Sequence, residues 1–160
     1  MDVRATLLSL KEVFVDNARE CLSSFFQVNS SVREPWDVVE RLNGTFDHIS
    51  SIGSSNHEYQ AIMVAAIQQN ALGSFLKTEA AADDIPDIFG EFCNTYCGML
   101  MDSQQFKDAF GILRQAIPMY SEHQSFFPRV WAIAGKLFVD TEWIYIGYAI
   151  RSLDYSFLRK

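Results

Sequence analysis

At 160 residues, with 49% hydrophobic and 21% charged side chains, the chain is long enough to bury a core without disulfides and too apolar to stay disordered. A formal charge of −7 and a pI near 4.8 exclude charge-driven binding to nucleic acid or to an anionic membrane surface. No apolar run approaches the roughly 20 residues of a membrane span, and no basic segment followed by an apolar run opens the chain.

Cys21, Cys93 and Cys97 make an odd number without an export signal, so they read as reduced core thiols of a cytoplasmic protein. Residues 1–160 read as one domain.

Residues 5–26 read as an amphipathic helix, with Leu7, Leu10, Phe14, Cys21, Leu22 and Phe25 at helical spacing. The Asn29-Ser30-Ser31 run and the Glu34-Pro35 step end it. Residues 36–42 are strand-like, and Asn43-Gly44 is a turn signal. Residues 45–52 and 58–67 predict a hairpin across 53–57. The later half of the second run is apolar on both faces, as in a strand covered on both sides. Residues 68–81 predict a short helix with Leu72, Phe75 and Leu76 inward.

Residues 83–102, DDIPDIFGEFCNTYCGMLMD, predict the helix around which the rest is organised. Pro86 suits a first turn, where its missing N–H would be unpaired, and the carboxylates there complement the positive pole of the helix. At about 100° per residue, Ile85, Ile88, Phe89, Phe92, Tyr96, Met99 and Leu100 form one apolar face. Asp87, Glu91, Asn94 and Gly98 fall opposite, in a stripe about 60° wide. A solvent face seldom carries Asn and Gly in mid-helix, and no Lys or Arg occurs in the segment. The stripe reads either as a solvated acidic face or as a recognition edge. An edge would offer Glu91 as acceptor and Asn94 as donor and acceptor to a partner passing closely over Gly98.

Beyond it, residues 103–108 read as a loop, and 110–117 alternate like a strand (Phe110, Ile112, Arg114, Ala116) that stops at Pro118. Residues 129–139 and 142–150 predict a second hairpin across Asp140-Thr141, rich in Trp, Ile, Tyr and Phe. In the tail, 151–160, Leu153, Phe157 and Leu158 offer apolar contacts while Arg159 and Lys160 are solvated. The order predicts an α+β fold: one largely antiparallel sheet with long helices packed on a face.

Catalytic inventories are nearly empty. No glycine-rich phosphate loop or dinucleotide fingerprint is present, and His48, His57 and His123 are scattered, the last two reading as surface residues. Cys93 and Cys97 could share a metal edge, but nothing completes a ligand set, so no metal is expected. Carboxylate and carboxamide chemistry on the 83–102 helix is what remains.

The run Asp87-x3-Glu91-x2-Asn94, followed by Gly98 and by Pro118 beyond the next predicted strand, resembles the active helix of the CheC/CheX/FliY family. Those are bacterial chemotaxis phosphatases that act on the response regulator CheY. The element order is similar over most of the chain. CheC-like members carry two copies of the motif and CheX-like members one. Here the first helix offers only Asp16-x3-Glu20-x2-Ser23, with Ser in place of Asn, so CheX is the nearer comparison.

The resemblance implies that Asn94 orients the water attacking a receiver aspartyl phosphate, while Glu91 pairs with the receiver's active-site Lys. Asp87 and Gly98 would be supporting residues, Asp87 for the Glu91 contact or for the orientation of the helix, and Gly98 for close approach. It implies no cofactor of the chain's own, since magnesium belongs to the receiver. It further implies a phosphorylated CheY-like partner and a homodimer joined through its sheets, for which the aromatic C-terminal strands would be the interface. The alternative is a non-catalytic interaction module of the same fold in chemotaxis, flagellar or two-component signalling. The bulk of Phe89, Phe92 and Tyr96 around the motif points that way.

Overall fold

The computed structural model describes residues 2–76, 82–123 and 127–153. The predicted 5–26 helix is two helices, α1 (Val3–Ser9) and α2 (Lys11–Phe26), divided at Leu10. Leu10 closes the first with bent backbone (φ −97°, ψ 8°) and opens the second. Asp2 caps α1, its carboxylate accepting from the Ala5 N–H at 3.2 Å. Gln27, in the left-handed region at φ 57°, ends α2.

The strand expected over 36–42 shrinks to β1 (Asp37–Val39). The first hairpin runs three residues later than its predicted start: β2 is His48–Ser55, β3 is Tyr59–Ile67, and the turn lies at 56–58. Asn56 sets that turn. Its side-chain oxygen accepts from the Glu58 and Tyr59 N–H groups at 2.8 and 2.7 Å, and its amide donates to the Phe110 carbonyl at 3.0 Å. The helix expected over 68–81 becomes a 3-10 turn, Gln69–Ala71, followed by α3 (Leu72–Phe75), with 77–81 outside the described residues.

Helix α4 (Ile85–Asp102) follows, close to its predicted span. The loop and strand expected over 103–117 are replaced by α5 (Gln104–Phe110). Ser103 accepts from the Phe106 N–H at 3.4 Å, Phe106 and Phe110 are buried one turn apart, and Gly111 at φ +77° ends the helix. Two short strands come next, β4 (Arg114–Gln115) and β5 (Met119–Ser121). The last hairpin is β6 (Ala132–Val139) and β7 (Glu142–Ser152), turning at Asp140 with φ 54°. From residue 154 the tail lies outside the described residues.

The strands form one sheet in the order β1-β6-β7-β3-β2, with β4 and β5 both on the free side of β2, and every pairing is antiparallel. This is the α+β architecture the sequence predicts. Side-chain alternation assigns the two faces. Ile52, Met63, Ala65, Ile133, Leu137, Ile144, Ile146 and Tyr148 join the main core with Phe14, Leu22, Phe89, Phe92 and Tyr96 from the helices. Val64, Ala66, Ala132, Ala134 and Ala149 face the other way, under Leu42, Phe46 and Phe127. The late half of β3 is thus buried on both faces, as its composition indicates.

Two glycines let chain outside the sheet lie directly on it. A Cβ on Gly135 would stand 2.1 Å from the Trp36 ring, and one on Gly147 would stand 2.3 Å from Leu42. Strand β7 is paired on both sides, by β3 and β6, while the outer side of β6 is paired by β1 only over Ala132–Ala134, with a single further bridge from Ser31 to Phe138. No helix among the described residues is long and apolar enough to cross a membrane.

The three cysteines are free and buried, as expected for core thiols. Burial pushes the Cys21 and Cys97 thiols up to about 12 and raises Cys93 as well. Thiol reagents at pH 8 should therefore leave the folded protein unmodified and count three thiols only after unfolding. One cysteine reacting rapidly in the native state would contradict this burial. Gly135→Ala should destabilise by about 1–3 kcal/mol, because Trp36 must move to admit a methyl group. An unchanged urea midpoint would show that the Trp36 seat can yield.

Candidate functional site

Helix α4 starts after a 3-10 turn, Ala82–Asp84, with Pro86 in its first turn and no side-chain cap. Its buried face is heavily aromatic. Phe89 and Phe92 lie 5.5 and 5.4 Å from the Phe26 ring, and Phe92 also meets Phe25 edge-on at 5.9 Å. The Tyr96 hydroxyl donates to the Phe14 carbonyl at 3.0 Å, which satisfies the one polar atom this face carries into the core. The bulk of Phe89, Phe92 and Tyr96 is therefore core packing against α2 and gives no support to a non-catalytic reading.

The opposite flank rests on the β2 edge. Pro118 packs against Gly90 so closely that a Cβ there would meet its ring at 3.2 Å. Gln115 Nε2 donates to the main-chain oxygen of Asn94 at 3.3 Å.

Held between these flanks, the predicted stripe points outward. Asp87, Glu91 and Asn94 are exposed and Gly98 is half-exposed. At a rise of about 1.5 Å per residue, the stripe from Asp87 to Gly98 spans about three turns and is roughly 16 Å long. Among the described residues, the side chains of Asp87, Glu91 and Asn94 have no hydrogen-bond or ion-pair partner. The contacts they do make run through main-chain oxygens, Thr95 Oγ1 donating to the Glu91 carbonyl at 2.8 Å. A Cβ on Gly98 would meet nothing within 4 Å. Internal packing therefore does not require glycine there, although it costs the helix about 1 kcal/mol relative to alanine. Residues 103–108, read as a loop, are part of α5 and its cap and leave Glu91 and Asn94 open. The degenerate set Asp16, Glu20 and Ser23 is likewise exposed, on α2.

Among the described residues, no group of three or more His, Cys, Asp or Glu is placed to hold a metal ion. His57 and His123 are exposed, as their surroundings in sequence indicate. His48 differs: it is buried at the β2 edge, with Nδ1 2.5 Å from the Tyr120 hydroxyl and Nε2 2.6 Å from Gln69 Oε1. It pins β5 rather than serving the stripe. Sequence reasoning did not single out Gln115 or the contact between Gly90 and Pro118. Both are non-local, and only the Pro118 spacing hinted at either.

No family model matches the chain, and no curated protein sequence does. Solved structures do match. A CheC-like superfamily protein from Shewanella sp. PV-4 superposes with a TM-score of 0.72 at 13% identity, covering 94% of this chain and 99% of that one. The CheX–CheY–BeF3–Mg complex from Borrelia burgdorferi matches with a TM-score of 0.64 at 14% identity, covering 88% and 96%. The FliM middle domain from H. pylori matches with a TM-score of 0.63 at 7% identity, covering 91% and 89%. The arrangement found among the described residues, five helices on a seven-stranded antiparallel sheet, is the fold of the CheC-like and CheX chemotaxis proteins.

Proposed function

We propose that this chain is a phosphatase for a CheY-type response regulator, acting in chemotaxis or related signalling. The observation that carries the proposal is the outward aim of Glu91 and Asn94, one turn apart on α4 and without side-chain partners among the described residues, beside a glycine that packing does not require. The fold likeness to a structure of CheX bound to CheY supports the choice of partner.

Hydrolysis of an aspartyl phosphate needs an in-line water and charge stabilisation more than covalent chemistry. In this reading the Asn94 carboxamide enters the receiver site and orients the water. It can accept from the water and donate to a phosphoryl oxygen, and it adds no charge there. Glu91 pairs with a receiver Lys by a charge-assisted bond that sets register. Asp87, a turn earlier, supports that contact, and Gly98 lets the receiver backbone approach. Magnesium is the receiver's, and the chain supplies no cofactor. The protein acts in the cytoplasm, as a homodimer.

A second reading keeps the fold and the docking ridge without the reaction. The likeness to the FliM middle domain favours it, because a fold hosts more than one function.

Phosphate loss from a phosphorylated CheY-type receiver separates the two. The wild-type protein should accelerate it, and Asn94→Ala should lose the acceleration by about 100-fold or more, as expected when a reacting water is misplaced. Glu91→Ala should raise the receiver concentration for half-maximal rate by roughly 10-fold, the usual scale for a lost charged hydrogen bond. Wild-type acceleration by Asn94→Ala would overturn the mechanism, and binding without any acceleration would leave the interaction module.

A further inference from the structure

We propose that Gln115 is a positioning residue for Asn94, fixing the turn of α4 that carries the carboxamide. The inference rests on the phosphatase reading for its functional half. Its structural half comes from how the β4–β5 edge meets the helix.

Register shows how two residues of that edge reach α4. Gln115 pairs with Ser54, and Met119 pairs with Ser51, so a four-residue step on the edge spans a three-residue step on β2. One extra residue is accommodated, a β-bulge, with the Ala116 N–H donating to the Gly53 carbonyl at 2.8 Å. In a regular strand, residues 115, 117 and 119 would share a face. The bulge shifts the alternation, so that Gln115, Pro118 and Tyr120 turn toward the helix side. Ile117 and Met119 are left exposed.

The result is a brace with two feet. Pro118 rests on Gly90, and Gln115 reaches α4 one turn further on. Its Nε2 donates to the Asn94 main-chain oxygen at 3.3 Å. In a regular α-helix the Asn94 oxygen is also the acceptor for the Gly98 N–H. A carbonyl has two lone pairs, so both bonds can form together. Gln115 thus reinforces the peptide pair that glycine weakens, at the place where the reaction needs Asn94 held still.

The test compares Gln115→Glu, which is isosteric but cannot donate, and Gln115→Ala with Gln115→Lys, which keeps a donor. The first readout is hydrogen exchange of the Gly98 amide by NMR. The second is receiver dephosphorylation at varied receiver concentration. Loss of the donor should speed Gly98 exchange by about 5-fold, the scale of one exposed hydrogen bond. It should also lower the maximal rate by about 5- to 10-fold, with the half-saturating receiver concentration within about 2-fold of wild type. Gln115→Lys should recover most of both effects.

Wild-type exchange at Gly98 in the Glu and Ala variants would show that the brace is not there. Faster exchange with an unchanged maximal rate would overturn the positioning role alone. A wild-type protein without phosphatase activity would overturn the functional reading and that role with it, while exchange still decides whether the brace exists.

Discussion

The outward aim of Asp87, Glu91 and Asn94 depends on burying the opposite side of α4. Phe89, Phe92 and Tyr96 fill the space between α2 and the sheet, and the Tyr96 hydroxyl has its partner in the Phe14 carbonyl. Rotating the helix by one residue would expose rings worth about 3–5 kcal/mol each in packing and would drive carboxylates toward the core. The angle of the helix about its own axis is therefore locked from below. The edge of β2 restrains it from the side, through Pro118 on Gly90 and Gln115 on Asn94. What remains free is the narrow ridge that carries the motif.

Much of this was legible in the chain. Helix α4 announced itself through its acidic start, Pro86 and a clean division of faces. The β6–β7 hairpin did so through aromatic strands around Asp140-Thr141. The shared outward stripe of Asp87, Glu91, Asn94 and Gly98 followed from the same wheel, since spacings of three and four place side chains together wherever a helix forms.

The failures have identifiable causes. Alternation at Phe110, Ile112, Arg114 and Ala116 imitated a strand because Gly111 breaks the chain between a helix end and an edge strand. The competing signals were present: Ser103 as a cap, Phe106 and Phe110 four apart, and glycine directly after. The division at Leu10 had no such signal, since leucine fits the helical pattern and the bend is tertiary. Gln115 and the seat of Pro118 arise from a bulge whose register joins segments some sixty residues apart in sequence, which no local pattern encodes.

The sheet order carries a consequence for how the molecule is made. Strand β7, late in the chain, lies between β3 and β6 and pairs with both along its length. During synthesis the half-built sheet would present two open edges, one on β3 and one on β6, until residues 142–152 clear the ribosome. Such edges recruit other strands, and β3 is apolar on both faces. Closing the sheet joins segments about 85 positions apart, from Tyr59 with Ser152 to Ile67 with Ile144, a topology that folds slowly compared with a helical bundle. The long helices can pack only on a floor that is finished last, so the nascent chain is most exposed to aggregation just before the final strand inserts.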